Sequence, residues 1–222
     1  MKLLLTASGL RNETQRIALR SMLGRPFTSA RLVYIPTASV AEPGDHGWVV
    51  EDLSRLYGLG WRELDILELN GLPRGMVLDR LSRADVIYVQ GGNHYHLARS
   101  ISGNGLADAF LDMLRDRVYV GVSAGSMIFS RHLTEHSADV IGDTADLHAL
   151  DATTVQSPFG LFDWYLKPHL YSPNFPERND AWADRIVERA DFPIYFIDDE
   201  TAVRVRDGEV DVVTEGRWRF HP

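Results

Sequence analysis

Five short apolar runs, each followed by a stretch with helical spacing, constrain this 222-residue chain more than any other feature. The runs are Leu3–Ala7, Arg31–Pro36, Glu63–Leu69, Asp85–Val89 and Tyr119–Val122. Between them, Glu13–Leu23 spaces Ile17, Leu19, Met22 and Leu23 as a helix does and stops before Gly24. Val49–Tyr57, closed by Gly58, Met76–Leu81 and Leu106–Leu114 continue the alternation. Near-continuous apolar strands must be covered on both faces, and helices between them supply the cover. The expected fold class is therefore α/β: three layers, a mostly parallel sheet with helices on both faces, in a single domain spanning 1–222. Near the end the pattern changes. Thr201–Val205, the turn pair Asp207-Gly208, and Glu209–Thr214 predict an antiparallel C-terminal hairpin at the sheet margin. Ala138–Thr154 reads as short strands and loops.

Charge and composition remove several classes of function. The formal net charge is −8 and no basic stripe is present, which argues against nucleic acid as a partner. The chain has no cysteine, so disulfides, thiolate nucleophiles and thiolate metal sites are excluded. The apolar start Met1–Ala7 is too short for a secretory signal, and Arg11, Glu13 and Arg16 follow at once. It reads as a buried first strand. No run approaches membrane-spanning length, and a cytoplasmic location is expected.

The candidate chemistry begins at Gly121-Val122-Ser123-Ala124-Gly125. This segment joins a strand to a helix start, with serine at the apex of a sharp turn and glycine where the backbone crowds on either side. The amide of Ala124, at the new helix N-terminus, points toward any oxyanion formed beside the serine. A second glycine turn, Gln90-Gly91-Gly92-Asn93, also leaves a strand, and an amide of Gly91 or Gly92 would complete an oxyanion hole. A serine hydroxyl needs a base. Of eight histidines, His169 is the one that follows a strand, in Leu166-Lys167-Pro168-His169-Leu170. His94 and His96 follow the glycine turn and are candidates to line the site. His46, His132, His136 and His148 lie in polar segments, and His221 is expected to fray. The acids Asp198, Asp199 and Glu200, after the run Ile194–Ile197, supply candidates for the group that orients the base. The order serine, histidine, acid departs from the serine, acid, histidine order of α/β-hydrolases. A metal set built on His94-x-His96 with Asp143, Asp146 and His148 matches no known spacing, and no HExxH is present, so no metal is expected.

Six segments taken in order carry a resemblance. They are Leu4–Gly9, Ile35–Ala38, Gln90–Asn93, Gly121–Ser126, Lys167–His169 and Ile197–Ala202. Together they resemble the peptidase E (aspartyl dipeptidase) family of serine peptidases, which also contains cyanophycinases. The resemblance implies a fold like that of class I glutamine amidotransferases, with Ser123 as nucleophile and His169 as base. The family's third member is usually a glutamate in the segment matching Asp198–Thr201. Aligned without a gap, that position is Asp199, with Glu200 beside it as the alternative. Arg178 matches the family's carboxylate-binding arginine, which implies dipeptides with N-terminal aspartate as substrates, with Asn93 and His94 as further binding residues. Cyanophycinases usually carry an Asp-Gln pair before the histidine. Here it is Lys167-Pro168, so hydrolysis of β-aspartyl peptides is the second reading and a non-catalytic ligand-binding protein of the same fold the third. The resemblance implies no cofactor and a small peptide as partner. It leaves the oligomeric state open, a homodimer among the options.

Overall fold

The computed structural model describes residues 1–222. In chain order the elements are β1 (Lys2–Thr6), α1 (Glu13–Leu23), β2 (Arg31–Ile35), α2 (Gly47–Gly58), β3 (Glu63–Ile66), α3 (Arg74–Arg83), β4 (Val86–Val89), α4 (His94–Gly103), α5 (Ala107–Met113) and β5 (Val118–Val122). There follow α6 (Ala124–Met127), α7 (Glu135–Ile141), α8 (Thr144–His148), β6 (Tyr165–Pro168), α9 (Asp180–Val187), β7 (Ile194–Ile197), β8 (Thr201–Arg206), β9 (Glu209–Thr214) and β10 (Trp218–His221).

The five N-terminal runs form the parallel part of a seven-stranded sheet ordered β3-β2-β4-β5-β1-β8-β9. Strand alternation divides the side chains between two cores. Leu3, Leu5, Val33, Ile35, Ile87, Val89 and Tyr119 join one, packed with Val77, Leu97, Phe110 and Met127 from α3, α4, α5 and α6. Leu4, Leu32, Tyr34, Val86, Tyr88, Val118 and Val120 join the other, packed with Leu19, Met22 and Leu56 from α1 and α2. Burial on both sides is why these strands read as continuous apolar runs. The antiparallel margin is β8 and β9, joined by Asp207 (φ 52°) and Gly208 (φ 91°), a two-residue turn of left-handed residues that suits a twisted hairpin.

Three features differ from the sequence expectation. First, β6 and β7 do not extend the main sheet. They pair in parallel and, with antiparallel β10, form a separate three-stranded sheet ordered β10-β7-β6. Second, Ala138–Thr154 contains helical turns, not short strands. Thr134 and Ser137 exchange capping hydrogen bonds at the start of α7, and Gly142 (φ 80°) closes it. Third, His221 is not frayed: it pairs with Ile194 in the β10–β7 ladder. Exposed Trp218 and Phe220 hide that strand in the sequence, since their outward aromatic rings invert the usual pattern. No helix is long and apolar enough to cross a membrane.

Candidate active site

The site forms where strand ends converge. Ser123 leaves the C-terminal end of β5, Gly91 that of β4 and Ser8 that of β1, the edge at which parallel sheets collect ligands. Val89 lies opposite Gly121 in the β4–β5 ladder, so the two glycine-bearing turns emerge side by side. A Cβ built on Gly91 would come within 3.1 Å of Ser123 Cβ. At the elbow itself a Cβ on Gly121 would lie 2.6 Å from the carbonyl oxygen of Gly125, and one on Gly125 would strike the carbonyl oxygen of Val89. Both glycines are therefore steric requirements of the turn.

Ser123 occupies φ 46°, ψ −106°, backbone that costs a non-glycine residue about 1–3 kcal/mol. The surroundings hold it there. Its amide donates to Thr6 O at 2.9 Å, Thr6 Oγ1 donates to Gly121 O at 2.7 Å, and Ser126 Oγ donates to Thr6 O at 2.8 Å. The Ser123 hydroxyl makes no hydrogen bond within the protein. Around Gly91 the amides differ. That of Gly91 donates to Gln90 Oε1 at 2.6 Å and is occupied, while that of Gly92 (φ 127°) has no acceptor. Gln90 is itself fixed by Asp52 Oδ2 at 2.7 Å and Tyr34 Oη at 2.9 Å, in a fully buried network that also includes Tyr88. Ala124 opens α6, where the first amides have no intrahelical acceptor.

His169 and Asp199 come from the second sheet. Pro168 pairs with Ile197, so both residues lie just past matched strand ends, and Leu170 N donates to Ile197 O at 3.0 Å. His169 Nδ1 is 2.8 Å from Asp199 Oδ1. Ser8 Oγ donates to the same oxygen at 2.8 Å and Ser172 Oγ to Asp199 Oδ2 at 2.6 Å. Burial alone would raise the Asp199 carboxyl, but these hydrogen bonds hold it well below the usual carboxylate range. An ionised Asp199 takes the Nδ1 proton as a hydrogen bond and leaves His169 Nε2 with a free lone pair. Burial lowers the His169 pKa; Asp199 opposes the shift, and Arg178 and Lys167 add to it. The other two acids have different duties. Asp198 accepts from Thr201 Oγ1 at 2.6 Å and Glu200 N at 3.1 Å, and Glu200 Oε2 accepts from Asn12 Nδ2 at 3.0 Å.

Arg178 is largely buried, with 17% of its side chain exposed, and does not pair with Asp180. Its guanidinium stacks over Phe175, 3.9 Å from the ring centroid, and donates to Pro168 O at 3.3 Å. Phe175 also packs on His169, with ring centroids 4.8 Å apart. Glu177 approaches Arg178 Nε only to 3.7 Å, so the planar fork has no bidentate carboxylate. Next to it, Lys167 Nζ bonds both oxygens of Asp143 at 2.6 Å in a buried ion pair. Asn93 caps α4 through His96 N at 2.9 Å and donates to Asp146 O at 2.9 Å.

His94 is buried, and burial pushes its pKa down to about 4 against the pull of Asp143. Among the residues considered as metal ligands, His94, Asp143 and Asp146 place ligand atoms within 4.8 Å of one another; His96 and His148 are not part of this group. The sequence reading missed Ser8 and Ser172 as partners of Asp199, and the Lys167–Asp143 pair. Ser8 sits two residues beyond the β1 run, a position that signals the functional edge of a parallel sheet. Nothing in the sequence ties Asp143 to Lys167, because they stand 24 positions apart with helix α8 between them.

The model of peptidase family S51 matches residues 3–213. An uncharacterized peptidase of Pasteurella multocida is 27% identical over 182 residues, covering 79% of this chain and 81% of its own. Peptidase E of Streptomyces coelicolor is 26% identical over 194 residues, covering 85% of this chain and 73% of its own. A Listeria monocytogenes EGD-e crystal structure named for peptidase E superposes with a TM-score of 0.77 at 24% identity, over 97% of this chain and 98% of that one.

Proposed function

This chain belongs to peptidase family S51 and is a serine peptidase, and on that premise we propose that it is a dipeptidase acting on peptides with N-terminal aspartate. In this reading Ser123 Oγ attacks the scissile carbonyl carbon while His169 Nε2 takes the hydroxyl proton. Asp199 stays ionised, holds the imidazole through Nδ1 and stabilises the imidazolium. The amides of Gly92 and Ala124 receive the oxyanion; loss of one such donor typically costs about 3 kcal/mol of transition-state stabilisation. Collapse of the tetrahedral intermediate breaks the C–N bond, and His169 returns the proton to the leaving amine. Water, deprotonated by His169, then hydrolyses the acyl-enzyme and frees Ser123. Arg178 holds the aspartate side-chain carboxylate.

The observation that supports this most is the 2.8 Å His169–Asp199 hydrogen bond, built on strand ends beside the elbow serine and buttressed by Ser8 and Ser172. Arg178 supports the specificity: a largely buried guanidinium without a bidentate partner favours an anionic group. The test is a dipeptide panel run on wild type, Ser123→Ala and Arg178→Ala. Asp-X should be cleaved far better than Asn-X or Glu-X, and Ser123→Ala should be inert. Arg178→Ala should raise KM for Asp-X more than for a neutral dipeptide. Equal cleavage of neutral N-termini would remove the aspartyl specificity, and preference for β-aspartyl peptides would favour the cyanophycinase-like alternative.

A further inference from the structure

Arg178 accounts for only one of the two charges on an N-terminal aspartate. The α-ammonium must also leave water, and a desolvated cation needs acceptors. The anionic groups near Arg178 are few. Asp199 is spent on His169, Ser8 and Ser172, and Asp143 is spent on Lys167, which takes both of its oxygens. Glu177 is mostly exposed. Asp146 is different: its carboxylate is half-buried and makes no hydrogen bond or ion pair; burial and the charge of Asp143 raise its pKa, and Lys167 and Arg178 oppose that shift.

A second observation is independent of the acids. The His94 side chain is only 3% exposed, yet its Nε2 has no hydrogen-bond partner. It lies 4.0 Å from Asp143 Oδ2, too far for a bond, and a ring nitrogen of His94 lies within 4.8 Å of a carboxylate oxygen of Asp146 without a hydrogen bond between the two side chains. An orphaned buried nitrogen of this kind calls for a partner. Position links the pair to the reaction. His94 follows the Gly91-Gly92 turn directly, and Asn93 ties that turn to the backbone of Asp146 at 2.9 Å.

We propose that Asp146 and His94 Nε2 form the subsite for the α-ammonium group of the substrate, which makes the enzyme require a free N-terminus. This deepens the dipeptidase reading and rests on it. Neutral His94 offers a lone pair, Asp146 a charge, and Lys167 keeps Asp143 from competing. Half-buried Glu42 is close enough to Asp146 to feel its charge: its pKa is raised by burial and further by Asp146. A metal ion is a poorer occupant, because the Lys167 ammonium already fills the cation position on Asp143.

The test compares Asp-X with succinyl-X, which keeps the side-chain carboxylate and scissile amide but lacks the amine. Wild type should prefer Asp-X. Asp146→Asn should shrink the ratio of kcat/KM for Asp-X over succinyl-X by about 10- to 100-fold, the worth of one charged hydrogen bond. His94→Gln, which restores an acceptor, should shrink it less than His94→Phe. Folding is checked by circular dichroism. If wild type prefers Asp-X and Asp146→Asn keeps the full ratio, the subsite is wrong and the dipeptidase reading stands. If wild type cleaves neither Asp-X nor succinyl-X, the dipeptidase reading fails and the subsite with it. Loss of Asp-X activity to a chelator, with recovery on adding a divalent cation, would overturn the ammonium assignment.

Discussion

At the residue scale, Ser123 trades stability for position. Its φ of 46° is strained for any side chain, and its hydroxyl bonds to nothing in the protein that would offset the strain. Ser123→Gly should therefore raise stability by about 1 kcal/mol, the relieved strain less the entropy of the added glycine, while lowering kcat by about four orders of magnitude or more. Urea denaturation beside a kcat measurement checks both halves. The neighbouring acids divide as sharply. Asp199→Asn leaves the imidazole in the wrong tautomer and should cut kcat by about 10⁴-fold, whereas Glu200→Gln, which touches Asn12, should cost no more than a few-fold. The pH profile follows from the direction of the His169 shift. Burial and two nearby cations lower its pKa, so the neutral base persists to lower pH than for a free histidine. The acidic limb of kcat/KM should have its midpoint below about 6.5. A midpoint at or above that value would mean that Asp199 outweighs burial.

Elements decide which of these residues meet. The elbow was legible because its spacing, glycine on either side of serine after an apolar run, is itself the geometry of the turn. The parallel core was legible for a similar reason: central strands covered on both faces are almost wholly apolar, as in β4 and β5. The second sheet was not. β6 and β7 are four residues each, too short to show whether they join the main sheet or another. Helical turns replaced the expected short strands and loops because α7 starts on a Thr134–Ser137 capping exchange, a weak signal beside the glycine and acids that follow, and α8 starts at Asp143 with no side-chain cap at all. Lys167 shows what such an element can conceal. In the sequence it is a cation before Pro168; in the fold it is an inward residue of β6 neutralising Asp143. Lys167→Met would leave Asp143 buried and unpaired and should destabilise the protein by about 3–5 kcal/mol, measurable as a lower urea midpoint. The double variant with Asp143→Leu should recover most of that loss.

For the whole molecule, the groups proposed to react are split between two sheets. Ser123 and the amide turns belong to the seven-stranded sheet, His169 and Asp199 to the three-stranded one. Ser8, at the end of β1, bonds Asp199 and so joins the two across the site. The proposed hydrolysis therefore depends on Ser123 being activated by a base carried on a separate sheet. Intact-mass analysis after treatment with a fluorophosphonate tests this most directly, with peptide mapping of the adduct. Wild type should gain one adduct, on Ser123, and folded His169→Ala should label far more slowly. A folded wild-type enzyme that stays unlabelled, or one labelled at a serine other than Ser123, would contradict the account.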